Sequence, residues 1–354
     1  MSVRSRAAIP PFVPARGLRG AHVQTLAGKL LRPDPDLPLW RERLDTPDGD
    51  FLDLDFAFDP GGSGGSTESG GSGSGAEPGA PVVVLLHGLE GSARRRYMKL
   101  TYRALLDRGL RPVGLNFRGC SGEANRTARA YHSGETGDLR HVIDTLRPRF
   151  PRAPFAVLGY SLGGNVALKF LGEEGRGGDG AGAGRVAAGA AISVPFDLDA
   201  GARALESSRV GRTVYTRYFL RTLRPRTLAK TELLAGRCDL EGVRRARSIR
   251  AFDDAATAPL FGFDSAEDYY ARSSSARFVA DIRVPTLVVH SRDDPFLPAS
   301  AIPEAAFDAN PAITAVITDR GGHQGYVAGS VWRPEFWVEG VVAGWLGAVL
   351  GSGR

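Results

Sequence analysis

A chain of 354 residues with 42% hydrophobic content can bury a large core, enough for one α/β domain with an insertion or for two ordinary domains. Its formal charge of +6 comes from 45 basic residues interspersed with 39 acidic ones, and the longest basic run is Arg94, Arg95 and Arg96, so no nucleic-acid partner is expected. Cys120 and Cys238 are too few for a disulfide framework and belong to no metal-ligating cluster, which excludes a disulfide-stapled domain and predicts neither metal nor organic cofactor.

Residues 1–40 read as an N-terminal arm in which prolines at 10, 11 and 14 interrupt any apolar run. No stretch anywhere reaches the roughly 18 uninterrupted apolar residues of a membrane-spanning helix. No integral membrane segment is expected, and a reducing, cytoplasmic location is the default reading. Residues 41–58 show two alternating runs around Pro47-Asp48-Gly49, a hairpin signal. Residues 59–80 collapse into Gly, Ser, Pro and Glu and are expected to form a flexible loop.

From Pro81 onward short apolar runs alternate with amphipathic stretches, the rhythm of βα units on a mostly parallel sheet flanked by helices. Strands are predicted at 82–86, 113–117, 155–159, 186–194, 284–290 and 313–317, with helices at 97–106 and 137–146. The rhythm breaks over 196–279, where helical patterns appear without a clear strand. The chain therefore divides into a core of 41–195 and 280–354 and a mainly helical cap insertion at 196–279.

Gly159-Tyr160-Ser161-Leu162-Gly163 carries the first chemistry. The bare GxSxG pattern is weak in a chain with 46 glycines, and Gly61-Gly62-Ser63-Gly64-Gly65 matches it inside the expected loop. Ser161 differs in context: a buried strand (PFAVLG) runs into it and a helix-forming stretch (NVALKFLG) leaves it. A turn this tight strains its central residue, exposes Oγ, and leaves no room for side chains larger than glycine on either side. It also aims the Leu162 N–H at a developing oxyanion.

A serine nucleophile needs a base and an acid, and on this strand–turn–helix plan they follow it as Asp or Glu and then His. Of the six histidines only His290 and His323 follow Ser161. His290 ends a core strand and reads as a satisfied structural histidine. His323 lies in the glycine-flanked loop Asp319-Arg-Gly-Gly-His-Gln-Gly325, from which a mobile ring could reach Ser161. The acid is expected in Ser291-Arg-Asp-Asp-Pro295; Asp294, four residues before Pro298, is preferred, and Asp293 reads as a turn carboxylate. Room remains between Asp294 and His323 for one helix (300–309) and one strand (313–317). The backbone N–H of Leu89, after the strand ending in His87-Gly88, is the natural second oxyanion donor, with His87 fixing that loop.

The stretches HGLEGS (87–92), NFRGCSGEANR (116–126), YHSGETGDL (131–139), GYSLGGN (159–165), SRDDPF (291–296) and GGHQGY (321–326), with HVQT at 22–25, resemble the YheT-like subfamily of α/β-hydrolases over nearly the whole chain. The resemblance implies the α/β-hydrolase fold and a carboxylic-ester hydrolase with the triad Ser161, Asp294 and His323, acting on a small-molecule ester. Eukaryotic members are described as acting on phospholipids with medium-length acyl chains. Their N-terminal membrane anchor has no counterpart here, and the 59–80 loop is long for the subfamily.

Two other readings use the same residues: an acyltransferase delivering the acyl group to an alcohol or amine, and a non-catalytic module that binds through the cap. Arg118, Glu123, Arg126 and Asp138 either line a pocket or tie loops together, and the second is the commoner use of such residues beside glycines. His22 and Thr25 read as packing or capping groups of the arm. Tyr215, Tyr218, Phe219, Phe261, Phe263, Tyr269 and Tyr270 supply aromatic surface either for an acyl chain or for the cap's own core.

Overall fold

The computed structural model describes residues 9–61, 79–177 and 184–351. Most of the Gly/Ser segment, including Ser63, lies outside the described residues.

The arm enters helix α1 (Ala21–Leu31) and then the hairpin β1 (Trp40–Asp45) and β2 (Phe51–Phe56), antiparallel with Leu44 opposite Leu52. The βα units follow: β3 (Val82–Leu86), α2 (Arg96–Leu106), β4 (Arg111–Asn116), α3 (Gly137–Leu146), β5 (Phe155–Tyr160), α4 (Leu162–Arg176) and β6 (Ala188–Ile192). A helical stretch that includes α5 (Leu198–Ser207) and α6 (Arg217–Leu228) precedes β7 (Thr286–Ser291) and β8 (Ile313–Thr318). A two-stranded ribbon, β9 (Val327–Gly329) and β10 (Pro334–Phe336), leads into the terminal helix Trp337–Gly351.

The eight strands form one sheet in the order β1-β2-β4-β3-β5-β6-β7-β8, parallel from β4 to β8 and antiparallel at β2. Both faces of β3 and β5 are buried, which accounts for their unbroken apolar runs. Val82, Val84 and Leu86 join one core with α3 and α4; Val83 and Leu85 join the other with α2 and the terminal helix. Strand order reverses at β3, so a crevice opens beyond the carboxyl ends of β3 and β5, the place where open α/β sheets bind ligands.

Several boundaries differ from the sequence reading by one or two residues, β7 among them at Thr286–Ser291, and two larger differences have local reasons. β6 is shorter than 186–194 because Ser193 turns to a left-handed φ of 51°. The helix expected at 300–309 is split into a 3₁₀ turn at Ala299–Ala301 and a helix at Glu304–Ala309, since Pro303 forces Ile302 into extended backbone. β4 starts and ends one or two residues earlier than expected, at Arg111 and Asn116.

Among the described residues, 193–285 contain helices and no strand. They have apolar clusters of their own, one around Leu220, Val243 and Phe252 and another around Leu198, Tyr269 and Tyr270. Two π-helical turns, Gly211–Thr216 and Asp253–Thr257, interrupt this stretch. Turns of that kind are frequent where helices border a functional site.

Candidate active site

Ser161 stands between β5 and α4 with φ 52° and ψ −118°, a conformation L-residues rarely adopt. Its glycine neighbours are required by contact. A Cβ on Gly159 would sit 2.1 Å from the Gly163 carbonyl oxygen, and one on Gly163 would sit 2.5 Å from the Leu86 carbonyl oxygen. The sequence therefore spends two glycines to bring α4 hard against the end of β3, and the turn presents Oγ above the crevice.

His323 Nε2 lies 3.0 Å from Ser161 Oγ, and its Nδ1 lies 2.7 Å from Asp294 Oδ2. A ring protonated at Nδ1 donates to the carboxylate and leaves Nε2 to accept the serine hydroxyl. Asp294 is buried, and its other oxygen accepts the Phe296 N–H at 2.9 Å. Asp293 points elsewhere: its Oδ1 accepts the Gly322 N–H at 2.9 Å and pins the loop that carries His323.

That loop is tied down rather than mobile, and its glycines serve close packing against α1. A Cβ on Gly322 would lie 2.4 Å from the Ala21 carbonyl oxygen, and one on Gly325 would lie 2.5 Å from that of Gln24. Thr25 Oγ1 accepts the His323 N–H at 2.9 Å, and Arg32 donates to the carbonyls of Gln324 and Gly325 at 2.8 and 3.1 Å while paired with buried Glu339 at 2.6 Å. Gln24 holds both the N–H and the C=O of Val327. Thr25 thus does more than pack the arm; Gln24 was legible only as part of the HVQT stretch, and Arg32 not at all. For Thr25 and Gln24 the HVQT stretch was the available signal, one that marks the residues without naming their distant partners.

Leu89 and Leu162 line the same cavity as Ser161 and His323. The Leu89 loop is shaped by Glu90, at φ 56°, whose N–H donates to Tyr131 Oη at 3.0 Å and whose carboxylate accepts from Tyr131 at 2.9 Å and from Arg226 of α6 at 2.8 Å. His87 bridges Gly88 O at 2.8 Å and the Phe117 N–H at 3.2 Å, and complete burial brings its pKa down to about 4, so the ring stays neutral. His290 departs from expectation. It is fully buried against Phe196, yet neither ring nitrogen finds a partner among the described residues, and burial lowers its pKa to about 4.

The cavity, about 140 Å³, runs from Ser161 between the sheet loops and the helical stretch. Leu198, Leu205, Phe219, Phe252 and Tyr269 give it a mostly apolar wall. Phe219, Tyr269 and Tyr270 reach the cavity; Phe261 and Phe263 pack on His132, and Tyr218 is exposed. One carboxyl group stands among the residues of that wall. Asp253 accepts from Thr257 Oγ1 at 2.6 Å and Tyr270 Oη at 2.7 Å, and burial raises its pKa to about 6. Arg118, by contrast, is locked under the sheet edge by Asp138, Asp48 and Asp50 and ties loops together. Glu123 and Arg126 pair at the surface with Arg43 and Asp45.

The profile of the α/β hydrolase fold matches residues 81–329. The chain belongs to the α/β-hydrolase family. Within this family it falls in the YheT-like subfamily: YheT of Escherichia coli (strain K12) is 35% identical over 96% of this chain and 94% of its own length. The protein named monoacylglycerol lipase of Saccharomyces cerevisiae is 31% identical over 72% of this hydrolase and 57% of its own chain. Phospholipase ABHD3 of Mus musculus is 31% identical over 87% and 71% respectively. The esterase Pf2001 of Pyrococcus furiosus superposes with a TM-score of 0.52 at 16% identity, covering 95% of this hydrolase and 98% of that chain, a likeness of fold. Among the described residues no helix is long and apolar enough to cross a membrane.

Proposed function

We propose that this hydrolase cleaves carboxylic esters by two-step acyl transfer through Ser161. His323 takes the Ser161 proton as Oγ attacks the ester carbonyl, and Asp294 holds the imidazole in the Nδ1–H tautomer and stabilises its cation. The oxyanion rests on the N–H groups of Leu89 and Leu162, at the mouth of a loop and at a helix N-terminus. The protonated imidazole passes its proton to the departing alcohol, and water then repeats the sequence on the acyl-enzyme. Neither step calls on a metal or an organic cofactor.

The observation that carries this reading is the unbroken line from Asp294 to His323 to Ser161, at 2.7 and 3.0 Å, ending on a serine strained toward an apolar cavity. Residues 196–279 act as the cap that shapes that cavity, and its aliphatic and aromatic wall suits a short- to medium-chain acyl group. The names of the yeast and mouse relatives, a monoacylglycerol lipase and a phospholipase, agree with an acyl ester as the substrate class. Free thiols at Cys120 and Cys238 suit a cytoplasmic setting.

Turnover of p-nitrophenyl esters of increasing acyl length tests the assignment. Hydrolysis with an optimum at short to medium chains is expected. Transfer of the acyl group to an added alcohol with negligible hydrolysis, or no turnover of any ester, would overturn it.

A further inference from the structure

Two segments far apart in sequence combine into one surface beside the cavity. Neither residues 9–33 nor residues 207–231 contain Asp or Glu; the first segment exposes Arg16, Arg19 and Lys29, with Arg32 turned inward to Glu339, and the second exposes Arg209, Arg212, Arg217 and Arg221, with Arg226 paired to Glu90 and Lys230 turned to the Thr127 and Arg129 carbonyls. The fold sets them side by side. His22 of α1 stacks on Tyr215 with ring centroids 5.7 Å apart and accepts or donates a hydrogen bond to its hydroxyl at 2.8 Å, and Lys29 Nζ lies 3.9 Å from the Tyr218 ring centre.

This surface is apolar as well as basic. On α1, Val23, Leu26 and Leu30 are exposed at 44%, 46% and 70%, and Leu26 lies between the two residues that touch the cap. Across the seam Val210, Val214 and Tyr218 are exposed at 37%, 47% and 42%. Spacings of three and four residues put each set on one helical stripe. Arg209, Arg217 and Arg221 are exposed around the cap stripe, and none has a carboxylate partner among the described residues. Water gains nothing from exposed leucines, and unpaired arginines in a chain this rich in ion pairs are equally uneconomic for the isolated protein.

The inner side of the same cap element faces the site. Tyr215 packs on Phe296 at 4.4 Å, Phe296 lies 4.2 Å from the His323 ring, and Phe219 lines the cavity. The element is thus buried toward the site on one side and basic and aliphatic on the other.

We infer that the joint face of α1 and the 209–221 segment docks on an anionic lipid surface. Aliphatic side chains enter the headgroup–acyl boundary while arginine and lysine meet lipid phosphate, the composition by which interfacial helices bind. Exposed leucine and valine among the cations fit a lipid surface better than nucleic acid, whose backbone is bound by charge without aliphatic insertion. Docking in this orientation brings the cavity wall at Phe219 and Phe296 close to the membrane. The inference concerns binding alone and stands apart from the chemistry at Ser161.

The test is co-sedimentation of full-length Ser161→Ala protein with vesicles of phosphatidylcholine, and of phosphatidylcholine mixed with phosphatidylglycerol. Binding to the anionic vesicles, weakened by salt and weak on phosphatidylcholine alone, is expected. Leu26→Glu with Val214→Glu, and separately Arg217→Glu with Arg221→Glu, should each lower it about tenfold or more. In the Ser161 background the first pair should leave turnover of a soluble ester unchanged, which shows that the protein still folds. Vesicle binding insensitive to both pairs overturns the inference. So does self-association abolished by the same substitutions, which would give the face to a second copy, or retention on duplex DNA without vesicle binding.

Discussion

The His323 N–H donates to Thr25 Oγ1 at 2.9 Å, so a helix at the start of the chain holds the histidine at its end. The same hydroxyl donates to the Ala21 carbonyl at 2.8 Å, which fixes its lone pairs toward the loop. Thr25→Val keeps the shape and removes the acceptor, leaving a part-buried N–H unsatisfied at a cost of about 1–3 kcal/mol. Steady-state kinetics should show kcat lowered about tenfold with KM little changed, because the loss falls on orientation of the base. Thr25→Ser should restore it. Equal losses in both variants would assign Thr25 a packing role only.

Asp294 and Asp293 are adjacent in sequence and separate in their partners, the first facing His323 Nδ1 and the second the Gly322 N–H. Asp294→Asn keeps one oxygen for the Phe296 N–H and turns an amide NH2 toward His323 Nδ1, which disfavours the Nδ1–H tautomer and should lower kcat by about 10⁴. Asp293→Asn keeps a side-chain oxygen for the Gly322 N–H and should cost less than about tenfold. The reverse ranking would move the acid by one residue.

His290 gives the fold a sensitivity to acid. Burial holds its pKa near 4 in the folded protein, below its ordinary value of 6.5, so the unfolded chain binds the extra proton between those pH values. Its contribution is intact above pH 6.5 and is lost as pH falls through that window toward 4. His290→Phe, beside Phe196 and Phe307, removes the titration. Melting temperatures at pH 7.5 and pH 5, about one unit or more on either side of the free histidine pKa, should diverge less in the variant than in the parent. An unchanged pH dependence would contradict this account.

The turn at Ser161 tolerates no added methyl. Gly163→Ala places Cβ within 2.6 Å of the Leu86 and His87 carbonyl oxygens, so α4 must move away from β3. Thermal denaturation should report a loss of about 2 kcal/mol or more, with activity falling further than stability. Retention of both would show that the two elements approach less closely.

What could be read from sequence was what local pattern determines. The apolar runs of β3 and β5, buried on both faces, and the strand–glycine–helix context of Ser161 depend on neighbours in the chain, and they appear where expected. The order Ser, Asp, His narrowed the base to His290 or His323, and loop context and the spacing to Pro298 favoured His323 and Asp294; these two lie with Ser161 in one hydrogen-bonded line. The supports of that line were not legible, because they join residues 136 to 307 positions apart: Thr25 to His323, Arg32 to Gln324 and Glu339, Glu90 to Arg226. The glycines around His323 looked like a source of mobility and instead make room for α1. Among the described residues His290 finds none of the partners a polar side chain in a core strand normally has, a fact of the fold that its position in sequence does not reveal. The exposed basic residues of α1 and of 209–221 were equally hidden, since dispersed cations become a face only when two distant segments are set together.

The most direct measurement of the central claim is labelling of the purified protein with a fluorophosphonate probe, followed by identification of the modified peptide. One phosphonyl group on Ser161, absent in Ser161→Ala and suppressed in His323→Ala, is the predicted result. No labelling of the parent protein, or labelling that persists in Ser161→Ala, would contradict the assignment of Ser161 as the nucleophile.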